Sequence, residues 1–357
     1  SYIFKEFFDR TLEVKNYESR ADNRFINISN REDYIFNSSL NGIEESDLIF
    51  LVGSNPRYEA TILNARIRKS YLNNNTKIYS LNENGDLTYP YESFDGQTLT
   101  LKNIFDGEHD FSKNILNSKK PMIILGESFL RLNNADFLFM KIKDFLSKNN
   151  KFLEDWNPLN ILSCDASSVG NFDLGLINKE TNLLKDLKSN KFEIVYLVGQ
   201  DNINFNKTDE FVIYQGSHGD KGAEIADIIL PGAAYTEQDA HYTNLEGKIQ
   251  KAYKASYPPG EAKEDWQIIN EIAEYMNNRK LFNDKEELES SMFNYLNLQK
   301  EKQNKDYKNE FSGEFKNEKL KIDIKPYYFS NIIARCSKTM IECNNSKLNL
   351  KSTGTEG

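Results

Sequence analysis

The chain has 357 residues and a mass of 41.4 kDa, which is enough for about two domains with buried cores. Its composition is that of an ordinary globular protein, with 39% hydrophobic and 28% charged residues. The formal net charge of −9 argues against nucleic acid or an anionic lipid surface as the main partner. No apolar run reaches the roughly 18 residues that a spanning helix needs, so no direct membrane span is expected.

The start of the chain carries no recognisable targeting signal. The first ten residues mix acidic, basic and aromatic side chains, which is typical of neither a secretory signal nor a transit peptide. The chain begins with Ser1 rather than methionine, so we expect either processing or a piece of a larger protein. Residues 1–39 show no pattern that assigns them a role.

The chain then repeats a strand–turn–helix theme. Leu48–Val52 is a continuous apolar run of the kind that a buried parallel strand needs. Residues 53–56, Gly-Ser-Asn-Pro, end this run, and their Asn-Pro pair favours a turn and the start of a helix. An apolar face at helical spacing predicts a helix over residues 58–71, and residues 77–81 supply the next strand.

The same theme continues through the middle of the chain. Strands are predicted at residues 122–126, 161–163, 193–199, 211–214 and 227–230, with a helix at 134–148. Strands that alternate with helices predict an α/β fold with doubly wound, mostly parallel sheets. Two of the strands end in the string Leu-Val-Gly, at residues 51–53 and 197–199, which suggests two related halves, although such short strings recur by chance.

The composition changes after residue 265. Residues 266–276 predict an amphipathic helix, and residues 285–319 are rich in Glu, Lys and Asn with a thin apolar stripe. Such a segment either wraps a partner or frays in solvent. The sequence therefore predicts an α/β domain over residues 40–276, a helical and irregular extension over 277–350, and a disordered tail over 351–357.

Residues that carry metal or catalytic chemistry are sparse. Cys164, Cys336 and Cys343 form no CxxC pair, and the histidines lack the nearby carboxylate pairs of a zinc site. We therefore expect no metal site in this chain, and no catalytic constellation is recognisable. His218 next to Asp220 admits an acid/base pair, but hydrogen bonding within a loop is the commoner role of such neighbours.

The turn at Gly53 and the basic residues after it could bind an anion. A glycine turn after a strand presents backbone N–H groups to a phosphate at the start of the following helix. An ordinary βα turn fits the same residues, and the chain has neither a GxxxxGK[ST] pattern nor a GxGxxG pattern after a strand. Arg57, Arg66, Arg68 and Lys69 could grip an anion, or could lie on a solvated or partner-facing side of the helix.

Several motifs occur in the order found in one protein family. They lie at residues 52–60, 64–69, 214–220, 226–237, 244–250 and 258–266, with a further likeness at 322–340. In this order they resemble the large Fe–S subunit of respiratory complex I, the seventy-five-kilodalton subunit of NADH:ubiquinone oxidoreductase in mitochondria. The resemblance covers residues 40–276, and several ordered motifs are far more specific than any one of them alone.

The resemblance implies a fold and a relation to a larger subunit. The C-terminal half of that family is similar to molybdopterin-dependent oxidoreductases but is understood to have lost the molybdenum cofactor. Its N-terminal half holds [2Fe–2S] and [4Fe–4S] clusters on Cys- and His-rich motifs. This chain resembles the C-terminal half and lacks those motifs, so it is expected to be one part of a split subunit or a fragment. No cluster ligand carries over to it.

The role expected from the resemblance is structural. The chain would scaffold the peripheral arm of complex I on the matrix side of the mitochondrial inner membrane, next to a separate Fe–S cluster-bearing chain. The Fe–S clusters, FMN and NADH would belong to partner subunits of this enzyme complex, and the chain itself would hold no cofactor. A vestigial pocket would be lined by Gly53, Asn55, Gly216, His218 and Glu237.

Two other functions remain open at this stage. The chain could be half of a split molybdopterin oxidoreductase such as a formate dehydrogenase, with the same five residues lining the pterin site. Against this, residues 82–86 read Asn-Glu-Asn-Gly-Asp where molybdopterin enzymes typically have an Asp-Pro-Arg turn that helps to hold the cofactor. A weaker alternative is a stand-alone nucleotide-binding protein that uses the Gly53 turn.

Overall fold

The computed structural model describes residues 1–20, 22, 24–178, 183–189, 191–200, 203, 206–302 and 314–352. The strands are β1 Leu48–Val52, β2 Lys77–Ser80, β3 Glu92–Ser93, β4 Pro121–Gly126, β5 Leu159–Leu162, β6 Ile194–Val198, β7 Phe211–Gly216, β8 Ile228–Pro231, β9 Ala240–Thr243 and β10 Ile249–Ala252. The helices are α1 Tyr2–Phe7, α2 Pro56–Glu59, α3 Thr61–Asn74, α4 Thr98–Asp106, α5 Phe111–Asn117, α6 Glu127–Leu130, α7 Ala135–Lys148, α8 Ser168–Asp173, α9 Leu183–Lys188, α10 Lys221–Glu224, α11 Asp265–Asn277, α12 Lys285–Lys302, α13 Ile332–Cys336 and α14 Lys338–Ser352.

The first five strands form one parallel sheet in the order β3-β2-β1-β4-β5. Every residue of β1 and β4 is buried, because helices cover both faces of this sheet. Phe50 and Ile123 face one core with α4, α5 and α7, whereas Ile49 and Ile124 face a second core with α3. This arrangement confirms the predicted α/β fold with doubly wound, mostly parallel sheets.

The strand order of this sheet reverses next to β1. The chain runs from β1 to β2 and β3 on one side, and then crosses to β4 and β5 on the other. In open α/β sheets, ligands bind at such a reversal, outside the carboxyl ends of the two strands. The loops after β1 and β4 are therefore the first place to look for a functional site.

The second sheet is smaller, with three parallel strands in the order β6-β7-β8. On one face, Leu197, Val212 and Tyr214 pack with α9 and α10. On the other face, Phe4 of α1 packs edge-on against Tyr196, with ring centroids 5.7 Å apart. An antiparallel hairpin of β9 and β10 follows.

Residues 1–39, which the sequence left without a role, are part of the fold. Arg31 donates two hydrogen bonds to the carboxylate of Asp173, at 2.8 and 3.0 Å, and a third to the carbonyl oxygen of Gly247 at 2.7 Å. The backbone N–H of Leu40 donates to Glu246 at 2.9 Å. The motif at residues 244–250 therefore fixes the N-terminal segment to the α/β body.

Two details differ from the sequence predictions. The single helix predicted over residues 58–71 is two helices, because Ala60 has φ −150° and ends α2 before α3 begins. The thin apolar stripe predicted within residues 285–319 lies in α12 and packs against the rest of this chain. Leu296 is buried in a core with α1 and α11, and Leu288 and Met292 pack against that core. Residues 303–313 and 353–357, the latter most of the predicted disordered tail, lie outside the described residues, and α14 runs to Ser352.

Candidate functional site

The loops after β1 and β4 touch each other at the strand-order reversal. Gly53 has φ +68°, and a β-carbon there would lie 2.4 Å from the backbone nitrogen of Phe129. A β-carbon on Gly126 would lie 2.3 Å from the carbonyl oxygen of Gly53. Both positions therefore require glycine, and the two loops pack backbone against backbone at the strand-order reversal.

A carboxylate from the chain itself occupies the anion position at the turn. Glu59 accepts hydrogen bonds from the Ser54 hydroxyl at 2.9 Å and from the Asn55 backbone N–H at 2.5 Å. These are the kinds of donor that a phosphate takes at the start of a helix. Burial raises the pKa of Glu59 above its ordinary value, despite these hydrogen bonds, and the charge of Glu127 adds to the rise.

A second carboxylate lies at the end of β4. Glu127 is buried at the start of α6 and forms ion pairs with Arg24 and, at 3.0 Å, with Arg131. It also accepts a hydrogen bond from the Cys164 backbone N–H at 2.9 Å. Arg24 also pairs with Asp22 at 2.6 Å, so this part of the edge is a buried network of opposite charges.

The thiol of Cys164 lies between the two carboxylates. Its Sγ donates to Glu59 at 3.7 Å. Burial raises the pKa of Cys164, and the negative charges of Glu127 and Glu59 raise it further. Because nucleophiles and metal ligands need the thiolate form, this cysteine is poorly suited to either chemistry.

Asparagine side chains line the neighbouring end of β2. Asn55 Nδ2 donates to the Asn84 carbonyl oxygen at 3.0 Å, and Asn84 Nδ2 donates to the Ser54 carbonyl oxygen at 3.2 Å. Asn82 Nδ2 donates to the carbonyl oxygen of Leu320 at 2.7 Å. Each amide nitrogen is thereby fixed, and the buried Oδ1 atoms of these three asparagines accept no hydrogen bond from the described residues. The edge therefore offers acceptors in excess of donors.

Four of the five residues predicted to line a vestigial pocket lie in two groups, and the fifth, Glu237, lies in a separate turn. Gly53 and Asn55 lie at the end of β1, and Gly216 and His218 lie at the end of β7 in the other sheet. Glu237 forms a local turn, accepting from the backbone N–H of Ala234 at 2.9 Å. Among the described residues, no hydrogen bond joins the two groups.

The acid/base and anion hypotheses do not match the contacts. His218 Nδ1 lies 2.9 Å from the Ser217 hydroxyl, whereas Asp220 caps α10 and pairs with Arg335 at 2.8 Å. Arg57 pairs with Asp86 at 2.6 Å. Arg66 and Lys69 both pair with Glu44, at 3.0 and 2.7 Å. Three of the four basic residues therefore form ion pairs within the chain, two of them with the same carboxylate.

The described residues contain neither a metal site nor a membrane span. Within them, no group of three or more His, Cys, Asp or Glu side chains is arranged to hold a metal ion. None of the described helices combines the length and apolar character needed to cross a bilayer.

Comparison with known proteins defines the class of this chain. The family model described as molybdopterin oxidoreductase matches residues 1–275. The chain therefore belongs to the molybdopterin oxidoreductase family, and the match includes residues 1–39. The N-terminal segment is thus part of the family domain by sequence as well as by its contacts.

Within this family, three similar relatives are subunits of one enzyme. The chain is 38% identical over 96% of its length to the NADH-ubiquinone oxidoreductase 75 kDa subunit of Reclinomonas americana, and covers 51% of that protein. It is 36% identical over 89% of its length to the mitochondrial 78 kDa subunit of Neurospora crassa, covering 44%. It is also 36% identical over 88% of its length to the mitochondrial 78 kDa subunit of Candida albicans, covering 45%. These matches confirm the predicted resemblance, and the chain spans about half the length of these relatives.

The family name implies a molybdopterin cofactor, and the sheet edge does not fit one. A molybdopterin carries phosphate and needs hydrogen-bond donors and positive charge. Here the helix-start donors are taken by Glu59, the guanidinium groups of Arg24 and Arg131 pair with carboxylates, and the amide oxygens are acceptors. The Gly53 turn also packs directly against the backbone of Phe129.

Sequence reasoning missed the residues that define this edge. Glu59 lies inside the motif at residues 52–60. Only its spacing from Ser54 could have indicated that its side chain folds back onto the turn. Glu127 follows the predicted strand at 122–126 directly, which is a recognisable signal. Arg24 lies more than 100 residues from Glu127 in the sequence, and no local pattern connects them.

Proposed function

We propose that this chain is a structural subunit of the peripheral arm of respiratory complex I, the proton-pumping NADH:ubiquinone oxidoreductase. Its relatives carry the names of the 75 and 78 kDa subunits of that enzyme. The chain would scaffold the Fe–S cluster-bearing polypeptide and would itself carry no redox centre. This role suits an electron-transfer chain, because electron tunnelling depends steeply on the distance between clusters.

The closed edge of the first sheet is the observation that carries the structural role. At the strand-order reversal, where open α/β sheets bind ligands, this chain places Glu59 and the Gly53–Phe129 contact. The donors of this turn are taken by a carboxylate of the chain itself and are not available to a ligand. This supports a scaffold more than it supports the catalytic half of a split molybdopterin oxidoreductase such as a formate dehydrogenase.

The proposal extends to partners and location. FMN, NADH and the Fe–S clusters would be bound by other subunits, and a separate cluster-bearing chain would be the nearest partner. The named relatives from fungi are mitochondrial, which supports a mitochondrial location. We place the chain on the matrix side of the inner membrane as part of the same proposal.

Purification of the tagged chain from its native membranes in mild detergent tests this function. We expect NADH:quinone reductase activity and cluster-bearing polypeptides to migrate with it on a native gel. We also expect no stoichiometric molybdenum in the purified assembly. A small species without this activity would overturn the proposal, and stoichiometric molybdenum would favour the split molybdoenzyme.

A further inference from the structure

A segment after α12 runs along the carboxyl ends of both parallel sheets. This segment, residues 317–336, is named the C-terminal strap here, and its last residues form α13. It contacts the segments that follow β2, β3, β4, β5 and β7. Ligands of open α/β sheets bind at the carboxyl ends of the strands, so the strap lies where it can control access to this edge.

The first part of the strap is fixed to the first sheet. Leu320 is only 1% exposed and belongs to the core that also contains Phe50 and Ile123. Its N–H donates to the Gly96 carbonyl oxygen at 2.9 Å, and its own carbonyl oxygen accepts from Asn82 at 2.7 Å. A buried side chain and two hydrogen bonds therefore anchor the strap at this point.

The middle of the strap passes next to Cys164 and is held by polar contacts. Asp323 N donates to the Ser128 hydroxyl at 3.0 Å. Lys325 pairs with Asp165 at 2.6 Å, and both side chains are about half exposed. Asp165 directly follows Cys164 in the sequence. Burial raises the pKa of Cys164, and the positive charge of Lys325 acts on the same thiol in the opposite direction.

The far end of the strap reaches the second sheet. Arg335 pairs with Asp220 at 2.8 Å, and the Cys336 Sγ donates to the Gly219 carbonyl oxygen at 2.8 Å. Both acceptors lie in the loop after β7, directly after His218. The strap therefore spans from the edge of the first sheet, with one group of predicted pocket residues, to the loop that carries the other group.

The packing of the strap differs on the two sides of Ile322. Leu320 and Ile322 pack in the first core, whereas none of residues 323–336 belongs to a hydrophobic core of the described structure. Segments with few buried apolar contacts open locally at a lower free energy than the whole fold. α13 and α14 pack on the turn Tyr327–Phe329, so this part of the chain holds together when it leaves the sheets.

We propose that residues 323–336 of the C-terminal strap are a gate over the carboxyl ends of both sheets, which opens as one unit about the anchor at Leu320 and exposes the Cys164 thiol. The contacts at Ser128, Asp165 and Asp220 are then made and lost together. The open state gives small molecules access to the edge of the first sheet, and the closed state denies it.

The three cysteines of the chain provide the readout. Cys164 lies beside the middle of the strap, Cys336 lies at its far end, and Cys343 lies beyond it on α14. The tagged chain, purified from its native membranes, is labelled with N-ethylmaleimide for increasing times, and peptide mass spectrometry gives a rate for each cysteine. When closing is faster than labelling, this rate reports the equilibrium population of the open state.

A variant at the far end should be felt at the first sheet. Arg335→Ala removes the ion pair with Asp220, and we expect the labelling rate of Cys164 to rise about fivefold. Lys207→Ala is the matched control, because it removes an ion pair of the second sheet away from the strap, and the two cations are 24% and 23% exposed. The control should leave the Cys164 rate unchanged. A rise at Cys336 alone in Arg335→Ala would overturn the inference.

The reciprocal variant acts from the first sheet. Ser128→Ala removes the acceptor of the Asp323 N–H, and we expect the labelling rate of Cys336 to rise about fivefold. Cys343 is the internal reference and should keep its rate in both variants, because α14 moves with the strap. An unchanged rate at Cys336 would show that the two ends open independently, and would overturn the proposed gate.

The wild-type chain gives a test that needs no substitution. Low urea concentrations, below the global unfolding transition, should raise the labelling rates of Cys164 and Cys336 with one common slope, because a single opening exposes the same surface for both. This slope should be smaller than that of global unfolding. Different slopes, or the global slope at both sites, would contradict the gate. Labelling requires neither NADH oxidation nor cluster-bearing partners, so its outcome is separate from that of the proposed function.

Discussion

Each of the two parallel sheets has a strand that ends in the same local sequence, but one of these strand ends is buried and the other is exposed. β1 and β6 both run into Leu-Val-Gly, and both glycines have positive φ, +68° at Gly53 and +57° at Gly199. Val52 is fully buried, whereas Val198 is 36% exposed. A β-carbon at Gly53 would strike the Phe129 backbone, but one at Gly199 would meet nothing within 4 Å. The local sequence therefore encodes the turn, whereas the elements that pack on the turn decide whether it is buried.

Breaking the ion network of the closed edge should have the largest effect. Arg24→Ala leaves Glu127 buried and short of one charge partner, and breaking a buried pair in this way costs about 3–5 kcal/mol. Lys207→Ala removes a partly exposed pair with Asp227 in the second sheet, and such pairs contribute about 1 kcal/mol or less. Urea denaturation of the purified variants measures both free energies of unfolding. Equal losses would contradict the difference between the two regions.

The paired glycines give the next largest difference. Gly53→Ala combines left-handed strain with a clash against backbone, so we expect a loss of about 2–4 kcal/mol in the free energy of unfolding. Gly199→Ala meets only the strain and should cost about 1–2 kcal/mol. Thermal unfolding of the two variants, with the wild type alongside, measures the gap. A larger loss of stability for Gly199→Ala than for Gly53→Ala would contradict the greater openness of the second sheet at this turn.

The glycines also show how far the sequence could predict this fold. Apolar runs and turn residues predicted the strands and the parallel sheets, because those signals are local. The burial of Val52 and the exposure of Val198 were not predictable, since the two strings are the same for three residues. Neighbouring strands and helices decide burial, and these come from distant parts of the chain, such as α7 for β1 and α1 for β6.

The valines of the two strings provide a smaller and cleaner test. Val52→Ala removes methyl groups from a filled core, and we expect a loss of about 2 kcal/mol. Val198→Ala removes partly exposed groups and should cost less than about 1 kcal/mol in the isolated chain. The free energy of unfolding from urea denaturation checks both values.

The candidate site was less predictable than the fold. Gly53 and Asn55 were identified from the turn after β1, and the structure places them at the sheet edge. Gly216 and His218 were grouped with them only as what the family resemblance implies, and the structure places them after β7 in the other sheet. Proximity between loops of different sheets depends on how the sheets pack, and residue spacing carries no information about that.

The smallest expected effect is a change in the pH dependence of stability caused by the carboxylate that closes the turn. The pKa of Glu59 is raised by burial above its ordinary value of 4.5. The folded chain therefore holds this proton more tightly than the unfolded chain, so the stabilising contribution is complete below 4.5 and is lost as the pH rises through the folded pKa. We expect Glu59→Gln to remove this loss, so that its stability relative to the wild type increases as the pH rises from 4.5.

Asp165→Asn is the matched control, because the pKa of this neighbouring carboxyl is shifted down, whereas that of Glu59 is shifted up. Burial opposes its ionisation, but the hydrogen bond from Lys325 and the charge of Arg24 hold its pKa below the ordinary value of 3.8. Its contribution is present above 3.8 and is lost as the pH falls through the folded pKa. Urea denaturation from below pH 3.8 to above pH 4.5 measures the stability of each variant relative to the wild type. Plotted against pH, this difference should have opposite trends for the two variants. Parallel curves would mean that Glu59 is solvated like an ordinary surface carboxylate, and the first sheet would then be open at its edge too.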